Sequence, residues 1–78
     1  MPSTVIRRFA YQPEEQALDI EFVTGRVYRY RGVPENVAAA MKAAFSKGSY
    51  FNRAIRDRYE HRRLRGWPGD APSQVHVR

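Results

Sequence analysis

The chain has 78 residues and no cysteine, which excludes a disulfide framework and a thiolate metal site. A chain of this length buries only about 60% of the surface that its unfolded form exposes, so we expect one small domain without an enclosed active-site cavity. The net charge is +6, and twelve arginines carry it with only two lysines. Because the arginine fork binds phosphate and its flat face stacks on rings, this composition favours an anionic partner.

No stretch of about 18 apolar residues is present, and the N-terminus lacks the basic and then apolar layout of a signal peptide. We therefore expect a soluble cytoplasmic protein that makes no membrane contact and acts as a monomer. Neither a metal-ligand spacing nor a cofactor motif occurs in the sequence, so no cofactor is expected.

The first half of the chain is predicted to form three antiparallel strands. Residues 4–11 (TVIRRFAY) make the first strand, and residues 18–23 (LDIEFV) and 26–31 (RVYRYR) alternate apolar and polar side chains. Ile6 has the opposite parity from Phe9, which indicates either a β-bulge or a side chain that covers a sheet edge.

The turn between the second and third strands is predicted to contain three residues. A two-residue loop would split the apolar side chains between both faces of the sheet. A three-residue loop with Gly25 in the left-handed region instead places Ile20 opposite Tyr28, Leu18 opposite Tyr30 and Asp19 opposite Arg29.

Two helices are predicted in the second half. Pro34 suits the first position of the first helix, Gly48 its C-cap and Ser49 the N-cap of a second helix from Tyr50 to Arg65. Arg58 and Arg62 would lie on the core face of that helix, so their stems are expected along the core with the guanidinium groups at its rim.

The predicted fold is α+β: a three-stranded antiparallel sheet followed by two helices packed on one face, in the order β-β-β-α-α. It forms a single domain over residues 1–65, with a flexible tail over residues 66–78 in which Trp67 can dock back. The predicted core consists of Phe9, Leu18, Ile20, Phe22, Tyr28, Tyr30, Val37, Met41, Phe45, Phe51, Ile55 and Tyr59.

Most of the positive charge is concentrated in one segment. Residues 53–65 contain six arginines against Asp57 and Glu60, which gives +4 of the total +6. The candidate nucleic-acid contacts are Lys47, Arg53, Arg56, Arg58, Arg62 and Arg63. The alternative is a solvated helix face in which Arg53 pairs with Asp57 and Arg56 with Glu60 at i,i+4 spacing.

Two shorter features have two readings each. Tyr28 and Tyr30 share a strand face, where they either stack nucleic-acid bases or belong to the core. The segment SKGS, residues 46–49, either holds a phosphate with Lys47 and backbone N–H groups or is only a corner between two helices.

Several motifs together resemble the KTSC domain, a small family found at the C-terminus of some lysyl-tRNA synthetases and as stand-alone bacterial proteins. The similarity runs from about Ser3 to Tyr59. Its residues are Ser3, Ile6, Tyr11, Leu18-x-Ile20-x-Phe22, Gly25, Tyr28-Arg29-Tyr30, Val33-Pro34, Ser46-x-Gly48-x-Tyr50-Phe51-Asn52, Ile55 and Tyr59. Gln12 departs from the family pattern, in which an acidic residue follows the tyrosine. The resemblance implies RNA binding as a suggested role and provides no catalytic residues.

Three classes of function follow from these observations. A small non-catalytic module that binds RNA or another polyanion accounts for the charge and for the choice of arginine. A module that binds an acidic protein is the alternative. An enzyme is not expected, because the sequence contains neither a nucleophile with its base nor a carboxylate pair.

Overall fold

The computed structural model describes residues 6–69 and 75–76. Its helices and strands are β1 (Ile6–Gln12), β2 (Ala17–Phe22), β3 (Val27–Arg31), α1 (Glu35–Ala43), α2 (Lys47–Ala54), β4 (Glu60–Leu64) and β5 (Val75–His76). The strands form one antiparallel sheet in the order β4-β3-β2-β1-β5. The α+β class with an antiparallel sheet and two helices is confirmed, but the predicted three-stranded sheet is wrong because strands also follow the helices.

The β2–β3 hairpin has the predicted three-residue turn. Leu18 pairs with Tyr30, Asp19 with Arg29, and Ile20 with Tyr28. Gly25 has φ of 93°, in the region where a side chain is strained. The turn therefore keeps the apolar side chains of both strands on the same face of the sheet, as the register argument requires.

A β-bulge occurs near the start of β1. The register with β2 shifts between Ile6 and Arg8, so the intervening Arg7 adds one residue to this strand. Ile6 is consequently buried on the core side together with Phe9. The bulge, rather than coverage of a sheet edge, explains the parity of Ile6.

Both helices contribute to the core on one face of the sheet. Met41 from α1 and Phe51 from α2 join the strand residues in one buried cluster, which Ile55 completes just after α2. The buried residues of this cluster are Ile6, Phe9, Leu18, Ile20, Tyr30, Val33, Met41, Phe51 and Ile55, with Tyr11, Phe22, Tyr28, Val37, Tyr50, Ala54 and Tyr59 partly buried around it.

Phe45 is the predicted core residue that the structure places in solvent. Its relative exposure is 105%. Helix α1 ends at Ala43, and Ala44 has extended backbone angles of −67° and 139°. The chain thus leaves the helical path before Phe45, which loses the position on the apolar stripe that a longer helix would have given it.

The predicted second helix from Tyr50 to Arg65 is wrong at both ends. The helix begins at Lys47, because Ser46 is its N-cap and accepts a hydrogen bond from the Ser49 N–H. Gly48 therefore lies inside α2 instead of capping α1. At the other end α2 stops at Ala54, and residues 60–64 pair with β3 as an edge strand.

A buried ion pair stabilises the sheet on the face away from the helices. Asp19 has no solvent exposure, and Arg29 binds both of its carboxylate oxygens, at 2.7 and 3.0 Å. Gln12 donates a third hydrogen bond to Asp19 at 2.7 Å. Gln12, which departs from the family pattern, therefore satisfies a buried carboxylate.

The tail is only partly described. Val75 and His76 pair with β1, so these two positions form a short strand. Trp67 is half-buried, and the Arg8 guanidinium lies 4.2 Å from its ring centroid. The prediction that residues 66–78 are flexible falls mainly on positions outside the described residues and stays a prediction. Among the described residues, no helix has the length and apolarity to cross a membrane.

Candidate nucleic-acid interface

Five aromatic rings line one solvent-open pocket on the helix side of the sheet. Each ring contacts two others, so that the five form a closed ring of contacts in the order Phe22, Tyr28, His61, Tyr30 and Phe51. Neighbouring centroids are 5.0 to 6.0 Å apart. The pocket volume is about 390 Å³, which lies within the range of small-molecule sites.

Strand alternation brings three of these rings together. Tyr28 and Tyr30 are two residues apart on β3, so both project to the face that the helices cover. Across the edge of the sheet, His61 of β4 lies opposite Tyr30, and their rings are tilted by 30° at 5.0 Å. Tyr30 is buried whereas Tyr28 is only half-buried, so Tyr30 contributes to the core and Tyr28 also presents surface to the pocket.

The remaining two rings come from β2 and α2. Phe22 is the last residue of β2, and Phe51 lies on the buried face of α2. Their rings meet edge to face at 5.4 Å. The rings of the pocket therefore come from four elements: β2, β3, α2 and β4.

Two charged side chains, Arg56 and Asp57, complete the lining. Both lie in the turn between α2 and β4 and are exposed. Both act on the Tyr30 hydroxyl: burial raises the pKa of Tyr30 to about 12, Tyr28 and Asp57 raise it as well, and Arg56 lowers it. The Tyr30 phenol is consequently neutral at physiological pH, between a cation and an anion.

Tyr30 lines the pocket although little of its surface is exposed. Its relative exposure is 4%, and it is nevertheless one of the residues that line the opening. The Tyr11 hydroxyl lies elsewhere and donates to the Val33 carbonyl at 2.6 Å. Tyr30 is therefore both a core residue and a wall of the pocket.

The predicted nucleic-acid contacts do not share one helix face. Arg63 lies opposite Tyr28 and shares the pocket face of β4, while its neighbour Arg62 lies opposite Arg29 on the other face. This separation follows from strand geometry, in which adjacent residues project to opposite sides. The expectation that Arg62 is a rim residue of a helical core is therefore wrong.

The other predicted contacts surround α2. Arg53 lies 5.5 Å from the Tyr50 ring centroid. Arg58 is exposed and donates from Nε to the Arg53 carbonyl at 3.3 Å, instead of extending along the core as predicted. Lys47 donates to the Ala44 carbonyl at 2.8 Å, so its ammonium group already caps the end of α1.

The motif Tyr50-Phe51-Asn52 lies in the middle of α2. Phe51 is buried and lines the pocket, whereas Tyr50 and Asn52 are half-buried. Together with the Ser46 cap, the motif thus positions one aromatic ring and holds the corner between α1 and α2. The corner reading of SKGS accounts for Ser46, Lys47 and Gly48.

Most arginines near the pocket have no carboxylate partner within residues 6–69. The ion pairs of the described residues join Arg8 to Glu21 and Arg29 to Asp19. The i,i+4 pairs predicted for a solvated helix face do not form, because residues 55–60 are not helical. Arg53, Arg56, Arg58, Arg62 and Arg63 thus form no ion pair with another described residue.

Sequence reasoning missed three pocket residues. The sequence assigns no role to His61, predicts Asp57 as a helical ion-pair partner and places Phe22 only in the core. The sequence carries no local signal for His61, because four of the five residues of β4 are polar and show no period-two alternation of apolar side chains.

Comparison with known proteins identifies the family. The KTSC domain family model matches residues 2–59. The chain belongs to the KTSC domain family. The fold agrees: a crystal structure of a KTSC domain protein from Yersinia pestis superposes with a TM-score of 0.76 and 31% identity, over 82% of this chain and 90% of that one.

Relatives of this KTSC domain occur in two contexts. An uncharacterized protein from Stutzerimonas stutzeri is 37% identical over 76% of this chain and 83% of its own length. A lysine–tRNA ligase from Nostoc punctiforme is 39% identical over 78% of this chain, but the match spans only 11% of the ligase. The domain is therefore found both as a small protein and as a minor part of a much larger enzyme.

Proposed function

We propose that this KTSC domain is a non-catalytic module that binds single-stranded RNA. The observation that carries the proposal is the open five-ring pocket beside arginines that form no ion pair in the described part of the chain. A stacked base contributes about 1 to 3 kcal/mol of binding free energy in such sites. Cationic side chains that contact the RNA phosphates add a salt-dependent contribution. The presence of a matching segment in proteins named lysine–tRNA ligase supports an RNA partner.

The arginines divide into two groups by their position. Arg56 lines the pocket, and Arg63 shares its face of the sheet, so these two are proposed to bind the phosphates that flank a stacked base. Arg53 and Arg58, at the end of α2, extend this path. Arg62 and Lys47 are auxiliary contacts, because one lies on the other face and the other is bound to a carbonyl.

An acidic protein is the second candidate partner, and the edge of the sheet favours it. Strand β4 is at the end of the strand order, and among the described strands it pairs only with β3, so its outer edge has no strand partner there. An extended acidic segment could add to this edge and meet the arginines of β4. RNA is preferred because the aromatic pocket has no role in such a complex.

The test is a titration of single-stranded RNA at about 50 and about 200 mM salt. We compare the wild type with the double variant Arg56→Gln, Arg63→Gln. The matched control, Arg7→Gln with Lys42→Gln, removes the same charge from exposed residues of β1 and α1. Binding of the wild type should weaken with salt, and the double variant should lower the slope of log K against log salt by about 1.4, while the control should change it little.

Two results would overturn the proposal. One is the absence of binding by the wild type at low salt, and the other is a folded double variant that binds RNA as the wild type does. Either result would favour the acidic-protein candidate.

A further inference from the structure

We propose that the pocket holds one guanine base and that Asp57 is the residue that selects it. This inference rests on the proposed function and deepens it from RNA binding to base preference. The observation behind it is an exposed carboxylate, with no ion pair to another described residue, inside a site that is otherwise aromatic and cationic.

The shape of the pocket suits a flat ligand. Its walls are the rings of Phe22, Tyr28, Tyr30, Phe51 and His61, and its volume is about 390 Å³. Protein rings that surround an unstacked base are the usual device by which single-stranded RNA is recognised. The edge-to-face contact of Tyr28 with Phe22 and His61, at 63° and 81°, holds the half-buried Tyr28 ring in a fixed orientation.

The polar groups distinguish one base from the others. Guanine has two neighbouring donors, N1–H and the N2 amino group, which a carboxylate accepts together as it accepts an arginine fork. Adenine and cytosine offer one amino group, and the uracil N3–H lies between two carbonyl oxygens that a carboxylate repels. Asp57 therefore matches guanine best.

The other two polar groups of the pocket suit the neighbouring Hoogsteen edge of guanine. Arginine is the usual donor to O6 and N7, and Arg56 lies beside Asp57 in the same turn. Tyr30 also lines the pocket, and a phenol hydroxyl can donate to a carbonyl oxygen. A guanine thus offers hydrogen-bond partners to a carboxylate, a guanidinium and a phenol at once.

A methylated ammonium group is the other ligand that fits rings with one carboxylate. Arg56 disfavours it, because its guanidinium would repel a cation in the pocket and offset the attraction of Asp57. The charge of the surrounding surface, where residues 53–65 carry a net +4, disfavours it for the same reason. Guanine has no net charge and arrives on an anionic strand.

The experiment compares oligouridines of about nine nucleotides that contain one central guanosine, inosine or adenosine. Inosine differs from guanosine only by the missing N2 amino group. The wild type should bind the guanosine oligonucleotide about 10-fold more tightly than the inosine one, in line with about 1 to 3 kcal/mol for a paired recognition. Asp57→Asn should reduce this ratio to near one without weakening the binding of the inosine oligonucleotide.

The matched control is Glu60→Gln, which makes the same charge change at an exposed residue on the other face of β4. It should keep the guanosine preference of the wild type. Circular dichroism of all variants verifies that each is folded, which is expected because both substituted side chains are exposed.

Three results would overturn the inference. Equal affinity of the wild type for guanosine and inosine, or an Asp57→Asn variant that keeps the preference, would refute guanine selection while RNA binding itself stands. Displacement of the oligonucleotide by tetramethylammonium, beyond the effect of the same concentration of sodium, would assign the pocket to a methylated cation. Absence of binding to all three oligonucleotides would refute the proposed function as well.

Discussion

The Asp19 carboxylate is fully buried and depends on the Arg29 guanidinium for compensation. Substitution Asp19→Asn would leave Arg29 without its charge partner at a site where only 21% of its side chain is exposed. We expect a loss of about 3 kcal/mol in the free energy of unfolding, measured by urea denaturation. The control is Glu14→Gln in the exposed β1–β2 turn, which should change stability by less than about 0.5 kcal/mol. A loss below about 1 kcal/mol for Asp19→Asn would contradict this role.

The ionisation of Tyr30 should make the stability of the protein depend on pH in the alkaline range. Its pKa is raised from 10.0 to about 12 in the folded protein. The unfolded chain therefore releases this proton first, so the contribution of Tyr30 to stability is complete below pH 10 and is lost between pH 10 and about 12. Tyr30→Phe should make the fall in unfolding free energy over that interval less steep, as measured by denaturation at several pH values.

The neighbours of Tyr30 give this pH prediction an internal control. Because the Asp57 charge raises the pKa of Tyr30 and the Arg56 charge lowers it, Asp57→Asn should lower that pKa and Arg56→Gln should raise it. Phenolate absorbance during an alkaline titration measures both shifts. Shifts of the same sign in the two variants would show that these charges do not flank the hydroxyl.

At the scale of elements, β4 is where the sequence prediction and the structure differ most. Substitutions at Arg62, which is exposed on this strand, should distinguish the two. Threonine is favoured over alanine in a strand, whereas alanine is favoured over threonine in a helix. Arg62→Thr should thus unfold at higher urea concentration than Arg62→Ala, and the reverse order would support the helical prediction.

The hairpin and the β4 segment show why one element was predictable and the other was not. In the hairpin, both strands carry alternating apolar residues, so only one register places Leu18, Ile20, Tyr28 and Tyr30 on the same face. In β4, four of the five residues are polar, and the strand exists because β3 provides its hydrogen bonds. Local periodicity does not contain that information.

A conflict within the helical prediction was nevertheless visible in the sequence. A helix continuing to Arg65 would place Arg58 and Arg62 on its core face, where a charge is costly to bury. The structure removes the conflict by ending α2 at Ala54. Phe45 shows the opposite case: an apolar residue at helical spacing is exposed because α1 ends two residues before it.

For the whole molecule, the sequence locates the candidate site better than it describes it. The charge distribution indicated the segment 53–65, and that segment provides Arg56, Asp57 and His61 to the pocket. The pocket itself also needs β2, β3 and α2, and no local pattern reports how four elements meet. The sequence predicts Tyr28 and Tyr30 as either core or stacking residues. The structure buries Tyr30 and leaves Tyr28 half-buried at the pocket.

The whole molecule should also be stabilised by the ligand that we propose. A ligand that binds only the folded state at about 100 times its Kd adds about 2.7 kcal/mol, and 1 kcal/mol shifts the Tm of a domain of 60–100 residues by about 4–8 °C. Single-stranded RNA that contains guanosine should therefore raise the Tm by about 10 to 20 °C at low salt. Differential scanning calorimetry measures this shift.

In this measurement, inorganic polyphosphate distinguishes the contribution of the arginines from that of the aromatic pocket. It carries phosphate charges without bases, so it can neutralise the arginines but cannot fill the aromatic pocket. At equal phosphate concentration it should raise the Tm by less than the RNA does, and the variant Arg56→Gln, Arg63→Gln should reduce both shifts. Equal shifts from polyphosphate and RNA would mean that charge alone accounts for binding, since a contribution from stacked bases requires the larger shift from RNA.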